Sequence, residues 1–218
     1  TYAEREEAET YLQQPNLIES IQADLTRLGI AGEELNKLLC YLVAVSRKLD
    51  DPLSLLIQSR SAAGKSTLQN TILDLVPGEE KLLYTRLTDQ SLFYEQANAF
   101  VHKILALEEA DGLGGAAYSL RALQSSKSLT LATTAKDPAT GKLKTDRYEV
   151  KGPVSVLLTT TSPNIDEETL SRFLTITIDE SEQMTKRIFE SQREADTLQG
   201  LIKRQEREAV VKRHHAIQ

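Results

Sequence analysis

A short loop of small residues, SRSAAGKST at 59–67, contains the residue types that point most directly to chemistry. A phosphate group is held by backbone N–H groups that point inward, by the N-terminus of a helix and by a nearby cation. Gly64, Lys65 and Ser66 supply a permissive backbone, that cation and a hydroxyl that can hold a magnesium ion. The pattern therefore predicts a loop that binds the phosphates of a nucleotide.

The residues on either side of this loop support the same interpretation, although its first position is unusual. Serine stands at Ser59, where the motif normally has glycine, but the small residues after it still leave space for a phosphate. The apolar run at 53–58 and the helical pattern after the loop supply the strand and the helix that the motif requires. The alternative is a chance loop of small residues. The residues predicted to contact the nucleotide are Ser61, Ala62, Ala63, Gly64, Lys65, Ser66 and Thr67.

Two adjacent carboxylates follow an apolar run in KILALEEADG at 103–112. At the end of a strand beside a phosphate loop, one carboxylate can steady a magnesium ion and the next can polarise an attacking water. Taken alone, Glu108 and Glu109 would be interpreted as solvated acids. Together with the loop they predict a metal site formed by Ser66 and Glu108, with Glu109 as the general base.

The loop and the acidic pair together resemble the AAA+ family of ring-forming ATPases. That family usually has Asp-Glu at the acidic pair, so Glu108 departs from its pattern. The resemblance implies that ATP is the nucleotide, with Mg²⁺ as its metal, and that Lys65 and Glu109 are catalytic. The run VSVLLTTT at 154–161 looks like the family's sensor strand, which implies a catalytic contact from Thr161, with Thr160 as the second choice. Threonine is also a common strand residue, so a purely structural role stays open.

The segment Ser-Arg-Phe before the apolar run at 173–178 is similar to the arginine-finger region of minichromosome maintenance helicases. Such an arginine stabilises charge on the transferred phosphoryl group, usually in the site of the neighbouring subunit. The resemblance implies that Arg172 is catalytic and that the chain forms a homo-oligomeric ring, a hexamer by analogy with these helicases. An arginine that closes the end of a helix is the alternative.

A hairpin is predicted at about 128–150, because two β-prone runs flank an Asp-Pro turn that ends in glycine. It resembles the pre-sensor hairpin of minichromosome maintenance and viral replicative helicases, which implies contact with nucleic acid, here single-stranded DNA. The alternative is that its basic residues only keep an exposed hairpin soluble. The residues predicted to bind nucleic acid are Lys136, Lys142, Lys144 and Arg147. The arrangement also looks like the ATPase modules attached to primase-like proteins of phages and mobile elements.

The elements that must position these residues can be read from hydrophobic patterning. Helical patterns separate continuous apolar runs, which are typical of strands buried on both faces of a parallel sheet. With the resemblance, this predicts an α/β P-loop NTPase fold of the AAA+ type: a three-layer parallel sheet with a β-hairpin insertion and flanking helices. The predicted strands lie at 53–58, 81–87, 102–110, 154–161 and 173–178. The predicted domains are a helical region at 1–50, an ATPase core at 51–180 and a C-terminal helical segment at 181–218.

Composition narrows the class of protein. A formal net charge of -6 excludes a uniformly basic nucleic-acid coat, so binding would need a local basic cluster. Cys40 is the only cysteine, which excludes an internal disulfide. The longest apolar run, 38–45, is far shorter than the ~20 residues that span a bilayer. We therefore expect a cytoplasmic piece of a longer protein with no membrane partner, in which His214 and His215 lie in a solvated tail.

Taken together, these patterns predict an ATP-hydrolysing helicase or translocase that acts on nucleic acid in DNA replication. A nucleotide-gated loader or initiator, which recruits partners and hydrolyses ATP slowly, is the alternative. The departures at Ser59 and Glu108 keep that alternative open. A small-molecule kinase is a third possibility, but the acidic pair, the finger and the hairpin argue against it.

Overall fold

The computed structural model describes residues 2–88, 90–113, 115–136 and 141–218. These described residues form eight α-helices and seven β-strands. In chain order the elements are α1 (Tyr2–Leu12), α2 (Leu17–Arg27), α3 (Glu34–Ser46), β1 (Leu55–Gln58), α4 (Lys65–Asp74), β2 (Lys81–Tyr84), β3 (Lys103–Leu107), α5 (Ala116–Ser126), β4 (Ser128–Lys136), β5 (Leu143–Lys151), β6 (Val154–Thr160), α6 (Glu167–Leu170), β7 (Leu174–Thr177), α7 (Glu182–Ala195) and α8 (Leu198–Ile217).

Five of the strands form one parallel sheet in the order β2-β3-β6-β1-β7. Each lies within one of the five apolar runs. The inner strands β1, β3 and β6 are mostly buried, as strands covered on both faces are, whereas the outer strands β2 and β7 are partly exposed. The clearest case is β6, in which all seven residues are buried. The prediction of an α/β fold with a parallel sheet and surrounding helices is confirmed.

The sheet is covered by helices on both faces, and the inner strand β1, which lies between β6 and β7, shows how. Successive side chains of a strand point to opposite faces. Leu55 and Ile57 pack in the apolar cluster that contains residues of α2, α3 and α4. Leu56 packs in a second cluster, with residues of α5 and with Leu129 and Val150 of β4 and β5. The chain therefore forms three layers.

The antiparallel pair β4 and β5 occupies the region of the predicted hairpin. At its base, Leu129 and Val150 are directly opposite each other and are buried. Towards the far end of both strands, most side chains are exposed. The predicted turn residues at 137–140 lie outside the described residues.

A buried polar cluster joins α8 to the N-terminal helices. The Asp24 carboxylate accepts hydrogen bonds from the Tyr11 hydroxyl at 3.0 Å and from Arg27 at 2.7 Å. His214 Nε2 lies 3.3 Å from the same carboxylate, and His214 Nδ1 lies 2.9 Å from the Tyr41 hydroxyl. The expectation that His214 belongs to a solvated tail is wrong: its side chain is fully buried, because α8 continues through this region and packs on α1 and α2.

The helices before and after the sheet also share a core with it. Leu25 of α2 and Val210 of α8 belong to the same apolar cluster as Ile57 of β1. Of the three predicted zones, 1–50 contains α1 to α3 and 181–218 contains α7 and α8. Their division into separate domains stays a prediction.

Candidate functional site

The loop after β1 has the backbone geometry that a phosphate-binding turn requires. Ala62 and Gly64 have φ values of 63° and 97°, and α4 begins at the next residue, Lys65. Glycine suits this position because a side chain is costly in the left-handed region. Gly64 is also the N-cap of α4, and no side chain caps the helix there. The first N–H groups of α4, which have no partners within the helix, are therefore available to an anion.

The Lys65 side chain lies folded back over the start of this loop. It is 6% exposed, and its ammonium donates hydrogen bonds to the carbonyl oxygens of Ser59 at 2.8 Å and Arg60 at 2.7 Å. Both of these partners are neutral. Because hydrogen bonds between ions of opposite charge are stronger than those to neutral carbonyls, a phosphate would compete well for this ammonium.

The remaining residues of the predicted nucleotide loop surround Lys65. Ser66 and Thr67 lie in the first turn of α4 and are exposed. Ser61 and Ala62 are also exposed, whereas Ala63 is half-buried. The hydroxyl predicted to bind magnesium, that of Ser66, therefore lies on the same end of α4 as the ammonium of Lys65.

The two acids lie at the same edge of the sheet as the loop. They follow β3 directly, and β6 separates β3 from β1, so two strand spacings, or about 10 Å, separate the loop from the acids. The backbone oxygen of Glu108 accepts a hydrogen bond from the Thr159 hydroxyl. The Glu109 carboxylate accepts one from the backbone N–H of Thr161 at 2.9 Å. The structure thus brings the loop, the acids and the predicted sensor together.

The two sensor candidates differ in their surroundings. Thr160 is the last residue of β6, and its fully buried hydroxyl accepts a hydrogen bond from the N–H of Ser162 at 3.0 Å. Thr161 follows the strand, and its side chain is exposed. The exposed hydroxyl of Thr161 is the one free to contact a ligand at this edge, but its catalytic role stays a prediction.

Gln69 ties α4 to the strands that carry the acids and the sensor. Its side-chain amide donates hydrogen bonds to the carbonyl oxygens of Leu107 at 3.0 Å and Leu157 at 3.2 Å. Leu107 is the residue immediately before Glu108, so this contact fixes where the acids leave the sheet. The sequence does not single out Gln69, because an isolated amide on a helix carries no motif.

A cavity of about 240 Å³ opens beside the phosphate loop. The turn between α2 and α3, the first turn of α4, the end of β7 and helix α7 form its walls. The walls are mostly apolar and include Ile30, Leu68, Ile178, Met184 and Ile188. Sequence reasoning did not find it, because its walls come from four segments that are far apart in the chain.

Glu180, between β7 and α7, contacts the first residues of the phosphate loop. Its carboxylate accepts hydrogen bonds from the Ser59 hydroxyl at 2.5 Å and from the backbone N–H of Arg60 at 3.0 Å. The Arg60 guanidinium lies 3.3 Å from the other carboxylate oxygen. The bond from Ser59, followed by that from Arg60, lowers the pKa of Glu180. The serine at position 59 was a possible signal for this contact, but its partner could not be identified from the sequence.

Arg172 lies at the opposite edge of the sheet from the phosphate loop. It comes just before β7, where the N–H of Leu174 donates a hydrogen bond to the carbonyl oxygen of Ser54, one residue before β1. The Arg172 guanidinium donates a hydrogen bond to the Ser125 hydroxyl at the end of α5. The structure therefore does not bring Arg172 to the loop of its own chain.

Three of the four basic residues predicted to bind nucleic acid lie in the β4–β5 pair and divide between its two faces, whereas Lys142 comes just before β5. Lys144 lies on one face, opposite Ala135. Lys136 and Arg147 lie on the other face, as their registers show. All four side chains are exposed. Lys144 forms an ion pair with Asp146 at 2.9 Å, so part of the positive charge is already compensated.

The predicted metal ligands fit magnesium better than a metal held by protein alone. Within the described ranges, no group of three or more His, Cys, Asp or Glu residues is placed to hold a metal ion. Magnesium at nucleotide sites commonly uses one or two protein oxygens, with phosphate oxygens and waters as its other ligands. The exposed Ser66 hydroxyl and Glu108 carboxylate match that donor set.

Comparison with known families decides the class of the protein. A family model described as the MTBMA_p00010 P-loop domain matches residues 2–215, which include all seven strands. The chain belongs to this P-loop domain family. P-loop domains typically bind a nucleotide with Mg²⁺, so the family supports the prediction of a nucleotide site.

Two further findings concern relatives of the chain and membrane-spanning helices. A search of curated proteins found no match to the chain. In the part of the chain that the structure describes, every helix is too short or too polar to cross a membrane.

Proposed function

We propose that this P-loop domain binds ATP with Mg²⁺ and hydrolyses it as an AAA+ helicase or translocase module that acts on nucleic acid in DNA replication. The observation that carries the proposal is the convergence at one sheet edge. The loop follows β1, the acids follow β3, and the end of β6 lies between them. A sensor side chain at the end of β6 would therefore lie between the phosphates held by the loop and the water held by the acids.

Each residue at this edge has a role in the proposed reaction. Lys65 exchanges its two carbonyl partners for the terminal phosphates of ATP, which the N–H groups of α4 also hold. Ser66 and Glu108 hold Mg²⁺, which when bound neutralises charge on the phosphate oxygens. Glu109 accepts the proton of the attacking water. Thr161 orients that water or the terminal phosphate.

The cavity beside the loop is the proposed site of the nucleobase. It begins at Ala63 and Gly64, so a nucleotide whose phosphates lie in the loop extends its base towards this cavity. Its apolar walls suit the flat face of an adenine ring. Helix α7 forms one wall of the cavity through Met184 and Ile188. Closure of α7 over the base would therefore exclude water from the nucleotide site.

The proposed motor function depends on the two regions outside this edge. In the proposed homo-oligomeric ring, a hexamer by resemblance, Arg172 acts on ATP bound by a neighbouring subunit. Its distance from the loop of its own chain is compatible with that role. The basic residues of the β4–β5 pair contact the phosphates of single-stranded DNA in the centre of that ring.

An ATPase assay with and without single-stranded DNA, combined with a mass measurement in ATP, tests the proposal. We expect hydrolysis that rises with DNA and a mass that increases in ATP. Lys65→Ala should abolish nucleotide binding. The matched control is Lys81→Ala, because Lys81, like Lys65, donates to a backbone carbonyl oxygen, but to that of Leu73 at the far end of α4 from the loop.

The other outcomes select other functions. Turnover that responds to a protein partner, with no response to DNA and no unwinding, would favour the loader or initiator. Normal nucleotide binding by Lys65→Ala would contradict the nucleotide site itself.

A further inference from the structure

The short segment between β7 and α7 contacts several parts of the proposed nucleotide site. The N–H of Asp179 donates a hydrogen bond to the Glu33 carboxylate at 2.7 Å, at the turn that lines the cavity. Glu180 contacts the phosphate loop, and Ser181 caps α7 by accepting a hydrogen bond from the N–H of Met184. The residue that contacts the phosphate loop is therefore followed directly in the chain by the residue that caps α7.

Two charged side chains hold the first two residues of the loop from different sides. Lys65 binds the carbonyl oxygens of Ser59 and Arg60, whereas Glu180 binds the Ser59 hydroxyl and the Arg60 N–H. These contacts use different atoms. When Lys65 turns to a phosphate, the contacts of Glu180 are therefore still available to hold the start of the loop.

We infer that Glu180 is a positioning residue that couples helix α7, and with it the Met184 wall of the base cavity, to the start of the phosphate loop. Ser59 is the loop's half of this contact, which explains why serine stands where the motif normally has glycine. The inference rests on the proposed nucleotide site and deepens it. Glu180 makes no contact with the nucleotide itself, and its effect is to hold the two halves of the site in register.

The charges around Glu180 favour this role. The hydrogen bonds from the Ser59 hydroxyl and the Arg60 N–H lower the pKa of Glu180, and the charges of Arg60 and Lys65 add to this effect. The carboxylate is therefore ionised at neutral pH and accepts charge-assisted hydrogen bonds. A neutral side chain at position 180 would keep the chain path but lose this attraction.

The first test is steady-state ATP hydrolysis, together with the binding of a non-hydrolysable ATP analogue. Because the contact is exposed, we expect Glu180→Ala to raise KM and the Kd of the analogue by about three- to tenfold, with kcat at saturating ATP nearly unchanged. Glu180→Gln should have an intermediate effect, because its amide oxygen accepts the same hydrogen bonds without the charge. Glu182→Ala is the matched control, since Glu182 is an exposed acid in the first turn of α7.

A double-mutant cycle separates a specific contact from general loosening. Ser59→Gly restores the usual glycine and removes the hydroxyl, so we expect a smaller rise in KM. If Ser59 and Glu180 act through each other, the double variant should bind no more weakly than Glu180→Ala alone. Additive effects of the two substitutions, or an unchanged KM in Glu180→Ala, would overturn the inference.

Failure of the inference can be told apart from failure of the proposed function. If the wild-type protein binds no nucleotide, both the proposed site and the positioning role are overturned. If the wild type binds nucleotide and Lys65→Ala does not, but Glu180→Ala behaves as the wild type, only the positioning role fails. Hydrogen exchange of the backbone amides in the ligand-free protein gives an independent readout. Glu180→Ala should speed exchange both at the start of the phosphate loop and in the first turn of α7, whereas Glu182→Ala, which removes one acid from the helix N-terminus, should affect only α7.

Discussion

Two groups of carboxylates in this molecule have opposite surroundings. Asp24, under the terminal helices, is 1% exposed and is surrounded by donors that include Tyr11 and His214. At the edge of the sheet, Glu108 is exposed and Glu109 is half-buried. In the described part of the chain, the Glu109 carboxylate accepts one hydrogen bond, from a backbone N–H. Glu108 accepts a hydrogen bond there only through its backbone oxygen, and its carboxylate accepts none.

The difference separates polar groups that hold the fold from those available to a ligand. A buried charge must have its partners within the protein, because leaving it unpaired costs several kcal/mol. Among the described residues, the acids at the sheet edge have few protein partners, so most of their hydrogen-bonding capacity is open to solvent or to a ligand. The comparison therefore predicts that substitutions at the two places affect different quantities, catalysis at one and stability at the other.

The largest expected effect is on hydrolysis. Glu109→Gln removes the general base but keeps the size and the hydrogen-bonding oxygen of the side chain. We expect the ATPase rate to fall by about 10²- to 10⁴-fold with nucleotide binding retained, as measured by phosphate release and by binding of the ATP analogue. Continued turnover at the wild-type rate would exclude Glu109 as the base.

The second prediction concerns the buried group. Asp24→Ala removes the carboxylate beside the buried imidazole of His214 and leaves Arg213 with its 3.6 Å ion pair to Glu7. We therefore expect the free energy of unfolding to fall by about 3–5 kcal/mol. Urea denaturation measures this change. KM for ATP should stay the same in the folded variant, and Asp50→Ala, at an exposed acid, should change stability by less than about 0.5 kcal/mol. Equal losses of stability in Asp24→Ala and Asp50→Ala would contradict a special role of the buried Asp24 carboxylate in stability.

The third prediction is a pH dependence of stability. Burial raises the pKa of Asp24, but hydrogen bonds from His214 and Tyr11 and the charge of Arg213 outweigh it, so the pKa lies below its ordinary value of 3.8. The stabilisation is present above pH 3.8 and is lost as the pH falls through the lower pKa of the folded state. Between neutral pH and pH 3, the wild type should therefore lose more stability than Asp24→Asn, which cannot titrate. Parallel loss in both proteins would contradict this.

The smallest expected effect is at the β4–β5 pair, where the charged groups are exposed. Lys142→Ala with Lys144→Ala should abolish the stimulation of hydrolysis by single-stranded DNA and leave the basal rate unchanged, because phosphate contacts supply affinity without taking part in the chemistry. Lys136→Ala with Arg147→Ala removes the positive charges of the opposite face of the pair. Comparison of the two double variants therefore shows which face contacts DNA. Lys212→Ala is the matched control, since Lys212 and Lys144 are both exposed and each pairs with one carboxylate. An unchanged DNA response in both double variants would exclude the pair as the contact surface.

The parallel sheet could be predicted from the sequence because two-sided burial leaves a simple signal. Each strand, from 55–58 to 174–177, lies within an apolar run that the pattern identified. The phosphate loop was equally clear, because glycine, lysine and serine are needed at fixed positions along one short segment. Signals of this kind are local, so a single sequence is enough to reveal them.

The parts of the site that could not be predicted depend on contacts between distant segments. Glu180 is far from Ser59 in the chain, and Gln69 reaches strands that follow it by many residues. The cavity has walls from four segments, none of which carries a motif. His214 was misjudged for the same reason, because its burial depends on how α8 packs against α1 and α2.

Met184 offers a way to observe the cavity directly. It is the only methionine in the sequence, it is buried, and it forms part of the cavity wall next to the phosphate loop. Isotopic labelling of methionine methyl groups would therefore give one NMR signal for the whole chain, without any engineered probe. The frequency of that signal would report whether the cavity is filled, and its line width would report how fast the occupant exchanges.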